Sequence, residues 1–383
     1  MKQLIDFVRS ETGIAGVVPL HEPTFSTIEK GFLCDAIDST YVSSVGPYVD
    51  RFEQELKEIS GAAHVTSVVN GTCGLHVCLW AAGVRAGDLV LTQAVTFVAT
   101  CNSIAQIGAR PVFIDIDDVS YGMCPDALDH WLQENAQVND EGVCLYKIDQ
   151  RRIRAIVPVH TFGHPVDLDR LVDISQKWCL PLIEDSAEAF GSLYKGKHAG
   201  TYGDYGVVSF NGNKVITTGG GGAVFSRSSS AGDALKHLAT TGKKPHPFEF
   251  NHDCVAFNYR MPNINAALGC AQLVAFQEKI KVKRALANKY KNFFKNTSFK
   301  FINEPMYARS NYWLNAIVCE TKGQRDELLR STNEAGISTR PVWTLMKNLP
   351  MFKEDIAGPL PVSKRAAELI VNLPSTPYST IKY

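Results

Sequence analysis

The chain has 383 residues, of which 45% are hydrophobic, so it can form one large domain and a smaller one. Lys and Arg together number 39, as do Asp and Glu, which gives a formal net charge of zero. This balance disfavours nucleic acid and anionic membranes as partners and favours a small-molecule ligand. No stretch of about twenty apolar residues occurs, so we predict a cytoplasmic protein without a membrane span. The ten cysteines include no Cys-x-x-Cys pair and are expected to be reduced core residues.

From about residue 60 to residue 225, short β-branched runs alternate with helical patterns. This alternation is typical of an α/β domain whose mostly parallel sheet is covered on both faces. Ligands of such sheets bind at the carboxyl ends of the strands. The predicted strands are 64–69, 89–92, 110–115, 153–159, 180–185 and 205–210.

A second α/β unit is predicted after residue 260, and it begins with a long helical stretch over 264–294. We therefore place a large domain at 1–255 and a smaller C-terminal α/β domain at 256–383. We also consider a packing of residues 1–40 on the small domain.

The segment Asn70-Gly71-Thr72 places a turn and a helix start directly after the first predicted strand. Small residues in the first helical turn expose backbone N–H groups to an anion, and Thr72 adds a hydroxyl donor. Ser209, at the end of a later strand, supplies a second hydroxyl at the same edge of the sheet. An ordinary capped turn and a structural strand-end serine are the alternatives.

Phe97 and Asp185 are the next candidates at this edge of the sheet. Phe97 begins a helix just after a strand, where an aromatic ring can cover one face of a flat heterocycle, although phenylalanine is more often part of the core. Asp185 ends an apolar strand, where a carboxylate needs a partner such as a protonated ring nitrogen. A salt bridge or a helix cap is the alternative for Asp185.

Lys214 lies five residues after Ser209 and is followed by four consecutive glycines, 219–222. So many glycines suggest a backbone that turns tightly past a bound group. A reactive amine, a strand-end carboxylate and phosphate-binding turns together describe a pyridoxal phosphate site. The alternative is a solvated loop lysine beside a glycine turn.

His160 and His164 are separated by four positions and invite a metal interpretation. The Gly163-His164-Pro165 turn is not a helix, and no acid or cysteine completes a tetrahedral set, so we predict no metal site. We assign both histidines to the lining of the ligand pocket, with His160 as a candidate substrate contact.

The chain resembles the sugar aminotransferase family DegT/DnrJ/EryC1/StrS, which has the fold-type I architecture of pyridoxal phosphate enzymes. The resemblance extends over nearly the whole length. It rests on the motifs Asn70–Thr72, Thr96–Thr100, Pro158–Gly163, Glu184–Ala189, Gly203–Phe210, Lys214, Asn258–Met261 and Ala266–Leu273.

The resemblance implies a role for each of these site residues. Lys214 is the Schiff-base lysine, Asp185 the partner of the pyridinium nitrogen and Phe97 the stacking ring, while Gly71, Thr72 and Ser209 bind the phosphate. Asn258 reaches the phosphate of the neighbouring subunit, which implies a homodimer with shared active sites. Glu188 stands near the phenolic oxygen of the cofactor, where many relatives have glutamine.

Three segments resemble the legionaminic-acid and bacillosamine branch of the family, namely 21–25, 37–52 and 209–222. This implies transfer of an amino group from glutamate to C4 of a UDP-linked 4-keto-6-deoxy-N-acetylglucosamine. The alternatives are a GDP- or dTDP-linked keto sugar, a sensor without turnover and a dehydratase of the same fold. Lys214 argues against the dehydratase, because the dehydrating relatives carry histidine there.

Candidates for substrate contacts are less closely defined by the sequence. Arg260, Arg340 and Lys243 are candidates for the donor carboxylate or the nucleotide diphosphate. Trp313 and Trp343 either flank the sugar or pack in the core, and packing is the commoner role of large aromatic residues.

Overall fold

The computed structural model describes residues 1–378 and shows an α/β fold. The strands are β1 (His64–Val68), β2 (Leu89–Gln93), β3 (Arg110–Ile114), β4 (Ala136–Val138), β5 (Cys144–Tyr146), β6 (Ile153–Val157), β7 (Ile183–Asp185), β8 (Leu193–Tyr194), β9 (Lys197–His198), β10 (Tyr205–Ser209), β11 (Gly222–Ser226), β12 (Lys243–Lys244), β13 (Asn251–His252), β14 (Lys300–Phe301), β15 (Ala308–Arg309), β16 (Asn315–Val318), β17 (Arg340–Pro341) and β18 (Ile370–Leu373). The helices are α1 (Lys2–Thr12), α2 (Thr27–Asp38), α3 (Pro47–Ser60), α4 (Gly71–Ala81), α5 (Val98–Gln106), α6 (Pro125–Asn135), α7 (Leu168–Lys177), α8 (Ser229–Ala239), α9 (Asn263–Val274), α10 (Phe276–Phe294), α11 (Lys322–Glu334) and α12 (Pro361–Leu369).

The main sheet has the strand order β3-β2-β6-β7-β10-β11-β1, in which the parallel bridges Ile156 to Leu182 and Val159 to Asp185 join β6 to β7. The other neighbours are parallel except at β11, which is antiparallel to both β10 and β1. Because β11 alone runs backwards, the carboxyl ends of the remaining strands meet at one edge. The expected mostly parallel sheet is therefore observed, with β11 as a strand that the sequence did not predict.

The C-terminal part of the chain forms an antiparallel sheet in the order β14-β16-β18-β17. Helix α1 packs there through Leu4 and Val8, in a core that includes Tyr290 and Ile317. A second hydrophobic core contains residues from both sides of position 255 in the sequence, for example Phe52 together with Phe276 and Trp313. The domain boundary near 255 stays a prediction.

The predicted helical stretch 264–294 forms two helices rather than one. Ala275, with φ −98° and ψ 5°, lies between α9 and α10 and interrupts the helical backbone. Helix α9 packs against α2 and α3, while α10 carries Tyr290 into the C-terminal core. Within residues 1–378, no helix is both long and apolar enough to cross a membrane.

The glycine run 219–222 is constrained by the protein itself. Gly219 has φ +80°, a conformation that favours glycine, and a Cβ on Gly221 would collide with the Thr218 side chain. A Cβ on Gly222 would lie 2.8 Å from the Val208 carbonyl oxygen and 2.9 Å from the Gly71 nitrogen. The close approach of other parts of the chain accounts for glycine at positions 221 and 222, and the passage of this run past a bound group stays a prediction.

We expect Gly222→Ala to destabilise the fold by about 1–3 kcal/mol, because its Cβ meets backbone atoms that move only together with β10 and the start of α4. Thermal and urea unfolding measure this change. Gly220→Ala is the matched control, because a Cβ there meets nothing within 4 Å. Equal stability of the two variants would show that the close approach at Gly222 is not required.

Candidate active site

A cavity of about 630 Å³ opens at the carboxyl edge of the main sheet. It brings together residues that are far apart in the sequence and that were predicted to bind cofactor or substrate. Its walls include Gly71, Thr72, Phe97, Asp185, Glu188, Ser209, Lys214, Trp313 and Arg340. The residues of the predicted ligand site that share this edge therefore form one pocket.

Lys214 follows β10 in a short turn in which its amide nitrogen donates to the Asn211 carbonyl at 3.0 Å. Its Nζ lies 4.0 Å from the centroid of the Trp313 ring and 3.9 Å from Glu188 Oε1. The side chain is only 14% exposed, so the alternative of a solvated loop lysine is not observed. Burial lowers the pKa of Lys214, while Glu188 and Asp185 oppose this shift. The result is an amine that deprotonates more readily than a surface lysine.

Asp185 ends β7 inside the cavity wall. Its Oδ2 accepts a hydrogen bond from Thr100 Oγ1 at 2.7 Å, and its Oδ1 accepts one from the Ala187 amide at 3.1 Å. Burial raises the pKa of this carboxyl group, and the hydrogen bonds oppose the rise. Among the described residues Asp185 forms no ion pair, so a protonated ligand nitrogen would supply the missing cation.

The start of helix α4 forms the candidate anion site. Asn70 caps the helix by accepting a hydrogen bond from the Cys73 amide at 2.8 Å, so the ordinary capped turn is present as well. Ser209 lies so close that a Cβ on Gly71 would come within 3.1 Å of its Cβ. The positive end of an 11-residue helix therefore lies beside the Thr72 and Ser209 hydroxyl groups, as phosphate binding requires.

Phe97 is the N-cap of α5 and is 55% exposed in the cavity wall. The alternative of a core phenylalanine is therefore not observed. A flat ring, a carboxylate for a ring nitrogen, an anion site and an amine are the groups that pyridoxal phosphate needs. The residues present fit this cofactor.

Five residues that were predicted to line the pocket or to bind substrate or cofactor do not line the cavity, namely His160, His164, Lys243, Asn258 and Arg260. His160 is fully buried, and its Nε2 lies 3.0 Å from Glu184 Oε2, so the structure does not support a substrate contact. Asn258 is exposed, and its Oδ1 accepts a hydrogen bond from Arg260 Nε at 2.9 Å. Asn258 and Arg260 both lie outside the cavity of their own chain.

Sequence reasoning assigned no individual role to several residues of the cavity wall. His21 lines the cavity, and both of its ring nitrogens are shielded without a hydrogen bond inside the described part of the chain. Burial and nearby lysines, Lys283 first, hold the pKa of His21 well below its usual value, so the ring is neutral. Trp343, like Trp313, was predicted either to flank the sugar or to pack in the core, and it lines the cavity. The others include Asn211, Asn213 and Asn372.

Known proteins are similar to this chain over most of its length. Residues 28–381 match the DegT/DnrJ/EryC1/StrS aminotransferase family. The chain is 37% identical over 366 residues to the GDP-perosamine synthase of Vibrio cholerae, with 94% of each protein covered. It is 30% identical over 335 residues to the UDP-2-acetamido-2-deoxy-3-oxo-D-glucuronate aminotransferase of Pseudomonas aeruginosa, with 87% of each covered.

The fold also matches a solved structure. The aminotransferase TlmJ of Streptoalloteichus hindustanus superposes with a TM-score of 0.84 and 27% identity, with 94% of each chain covered. The match therefore covers nearly the whole length of both chains. The chain therefore belongs to the DegT/DnrJ/EryC1/StrS aminotransferase family and is a sugar aminotransferase that depends on pyridoxal phosphate.

Proposed function

We propose that the protein transfers an amino group from glutamate to C4 of UDP-2-acetamido-4-keto-2,4,6-trideoxyglucose, giving a UDP-linked 4-amino sugar for surface glycans. The observation that carries the aminotransfer is the position of Lys214 and Asp185 in one cavity with the anion site at α4. The choice of sugar rests on the resemblance of segments 21–25, 37–52 and 209–222 to the legionaminic-acid and bacillosamine branch. Of these segments, the first and last contribute His21 and Asn211 to the cavity wall.

The chain's own residues hold and move the protons of this reaction. Pyridoxal phosphate, when bound, supplies an aldehyde and an electron sink. Lys214 Nζ would move a proton between two carbon atoms of the reacting group, because burial lowers the pKa of its amine and so favours the neutral form that can accept a proton. Asp185 would hold a proton on the ring nitrogen of a bound cofactor, since its buried negative charge favours a protonated partner. Phe97 and the start of α4 orient the cofactor.

Arg340 is our candidate for an anionic part of the substrates. It lines the cavity, and its Nη1 donates to Asn333 Oδ1 at 2.8 Å and to the Thr339 carbonyl at 3.0 Å. These bonds fix one side of the guanidinium group and leave its other donors for a carboxylate or phosphate. Trp313 also faces the cavity, where it covers the Lys214 amine.

A GDP-linked 4-keto-6-deoxy sugar is the second candidate substrate. It is favoured by the 37% identity to a GDP-perosamine synthase, which exceeds the 30% identity to the aminotransferase that acts on a UDP-linked acetamido sugar. Both candidates use the same lysine and cofactor, so they differ only in nucleotide and sugar recognition.

We expect a higher kcat/KM for the UDP-linked 2-acetamido-4-keto sugar than for GDP- or dTDP-linked sugars with a free 2-hydroxyl group. A site built to hydrogen-bond an amide discriminates strongly against an analogue that lacks it, by about 10⁴-fold in favourable cases. Glutamate with each of the three sugar nucleotides provides the assay. A preference for the GDP-linked sugar would establish the second candidate and reject the first.

We expect Lys214→Ala to lower turnover by about 10²-fold or more, since the group that moves the proton is absent. Borohydride reduction should link the cofactor to the Lys214 peptide of the wild-type protein and to no peptide of the variant. Lys195→Ala is the control, because this lysine is 56% exposed and pairs with Asp169. Normal turnover of Lys214→Ala would mean that another lysine is the reactive one.

We further propose a homodimer in which Asn258 of one subunit binds the phosphate of the other subunit's cofactor. This proposal is supported by the position of Asn258 outside its own cavity. It is also supported by nearby apolar side chains that a partner would cover, since Phe248, Phe250 and Val255 are 81%, 80% and 78% exposed.

Mixed dimers test the shared site. If Asn258→Ala is itself impaired, dimers of Lys214→Ala with Asn258→Ala subunits carry both lesions in one site and none in the other. Activity should then recover to about half of the wild-type value, as twofold symmetry requires. Tag capture isolates the mixed dimers, and no recovery in them would place Asn258 in the site of its own chain.

A further inference from the structure

The carboxylate of Glu188 is held in a fixed position opposite the reactive lysine. Its side chain is 4% exposed and lines the cavity. Oε2 accepts a hydrogen bond from the Phe162 amide at 2.8 Å, and Oε1 is the oxygen that lies 3.9 Å from Lys214 Nζ. One oxygen is therefore bound to the backbone, while the other faces the amine.

The backbone around Glu188 reinforces this position. Phe162 has φ 59°, which is rare for a bulky residue, and this conformation directs its amide to Glu188. Asn311 Nδ2 donates to the Glu188 carbonyl at 2.8 Å and to the Phe190 carbonyl at 3.0 Å. The carboxylate is thus restrained through its own backbone and through the donor that it accepts.

We propose that Glu188 Oε1 and Lys214 Nζ share one proton, so that Glu188 takes the proton that Lys214 must lose before its amine can react. In this step an N–H bond of Lys214 breaks and an O–H bond of Glu188 forms, and the pair is neutral overall before and after. The 3.9 Å between the two atoms exceeds hydrogen-bond length by about 1 Å, a gap that the flexible lysine side chain can close.

Electrostatics favours this exchange within the cavity. Burial raises the pKa of Glu188 to about 7, against the opposing charge of Lys214, while burial lowers the pKa of Lys214. Asp185 also faces the pair, and its charge disfavours a second carboxylate and favours the ammonium. His21 lies near Lys214 and is neutral. In so dry a site a neutral acid beside a neutral amine competes with the ion pair.

A glutamine at this position would not share a proton. Its carbonyl would accept from the Phe162 amide, so its NH₂ group would face Lys214 and oppose an ammonium there. Glu188→Gln is therefore a shape-conserving change that removes the shared proton and keeps the backbone bond. The proposal rests on the use of Lys214 given above, but it does not depend on which sugar is the substrate.

The test uses the cofactor-free protein and follows acylation of Lys214 by a small amine-reactive reagent, with mass spectrometry to count the modified peptide. Between about pH 5 and pH 10, the acylation rate of the wild-type protein should rise with pH in two steps, of which the lower lies near pH 7. Glu188→Gln should lose that step and shift the remaining one to lower pH. Infrared spectra should show a carboxylic acid band below about pH 7 that is absent from Glu188→Gln.

Two further variants keep the proposal falsifiable. Glu188→Asp retains an ionisable group and should keep two steps with altered spacing, which also covers a failure of Glu188→Gln to fold. Glu29→Gln is the matched control, because it removes a buried carboxylate that caps α2 away from the cavity, and it should leave the wild-type profile unchanged. A wild-type profile in Glu188→Gln, or a single step in the wild-type protein, would overturn the shared proton.

Discussion

Burial of charge at the carboxyl edge of the sheet is the constraint on which the site depends. An amine and two carboxylates, those of Lys214, Glu188 and Asp185, lie in a cavity where each is mostly removed from water. An isolated charge in such a place is costly, so every one of them has a neighbour that reduces the cost. Asp185 has the Thr100 hydroxyl, Glu188 has the Phe162 amide and Lys214 has both Glu188 and the Trp313 ring.

The C-terminal part of the chain takes part in this arrangement through a second buried lysine. Lys283 Nζ donates to the Trp313 carbonyl at 3.1 Å and to the Ser375 carbonyl at 2.7 Å, while Trp313 Nε1 donates to the Asn213 carbonyl at 2.7 Å. Burial holds the pKa of Lys283 well below its usual value. Lys283 on α10 thus joins Trp313 to the segment that follows β18, and Trp313 in turn contacts the turn that carries Lys214. The cavity wall is therefore connected to the C-terminal part of the chain.

The sequence predicted those features that depend on local position. Thr72, Phe97, Asp185 and Lys214 lie at or near recognisable strand ends or helix starts, and parallel strands bring such positions to one edge. Strand β11 was missed because it follows the glycine run directly, and Gly222 is itself its first residue. The four site residues, unlike β11, could be predicted because the strand ends and helix starts near them are recognised from neighbouring residues in the sequence.

Features that depend on distant partners could not be predicted in this way. His160 was assigned to the pocket, but its partner Glu184 lies 24 residues away, inside the protein, and Glu184 also accepts the Gly200 amide at 2.7 Å. The role of Gly222 depends on the approach of Asn70 and Gly71 from a different βα turn. Such pairings are long-range contacts, which a local pattern does not contain.

The turn after β6, which carries His160 and Phe162, contributes to the site through the Phe162 amide rather than through the His160 ring. The left-handed conformation of Phe162 costs about 1–2 kcal/mol, and burial of its ring, stacked 5.9 Å from that of Trp343, offsets this cost. The turn supplies a backbone amide to residue 188, and a side-chain oxygen of either glutamate or glutamine can accept a hydrogen bond from it. The strained turn therefore explains why the side chain at position 188 is a hydrogen-bond acceptor, but it does not explain why that side chain is a carboxyl group. What distinguishes a carboxyl group from an amide there is the oxygen that faces Lys214, so the choice of glutamate is to be explained by the lysine.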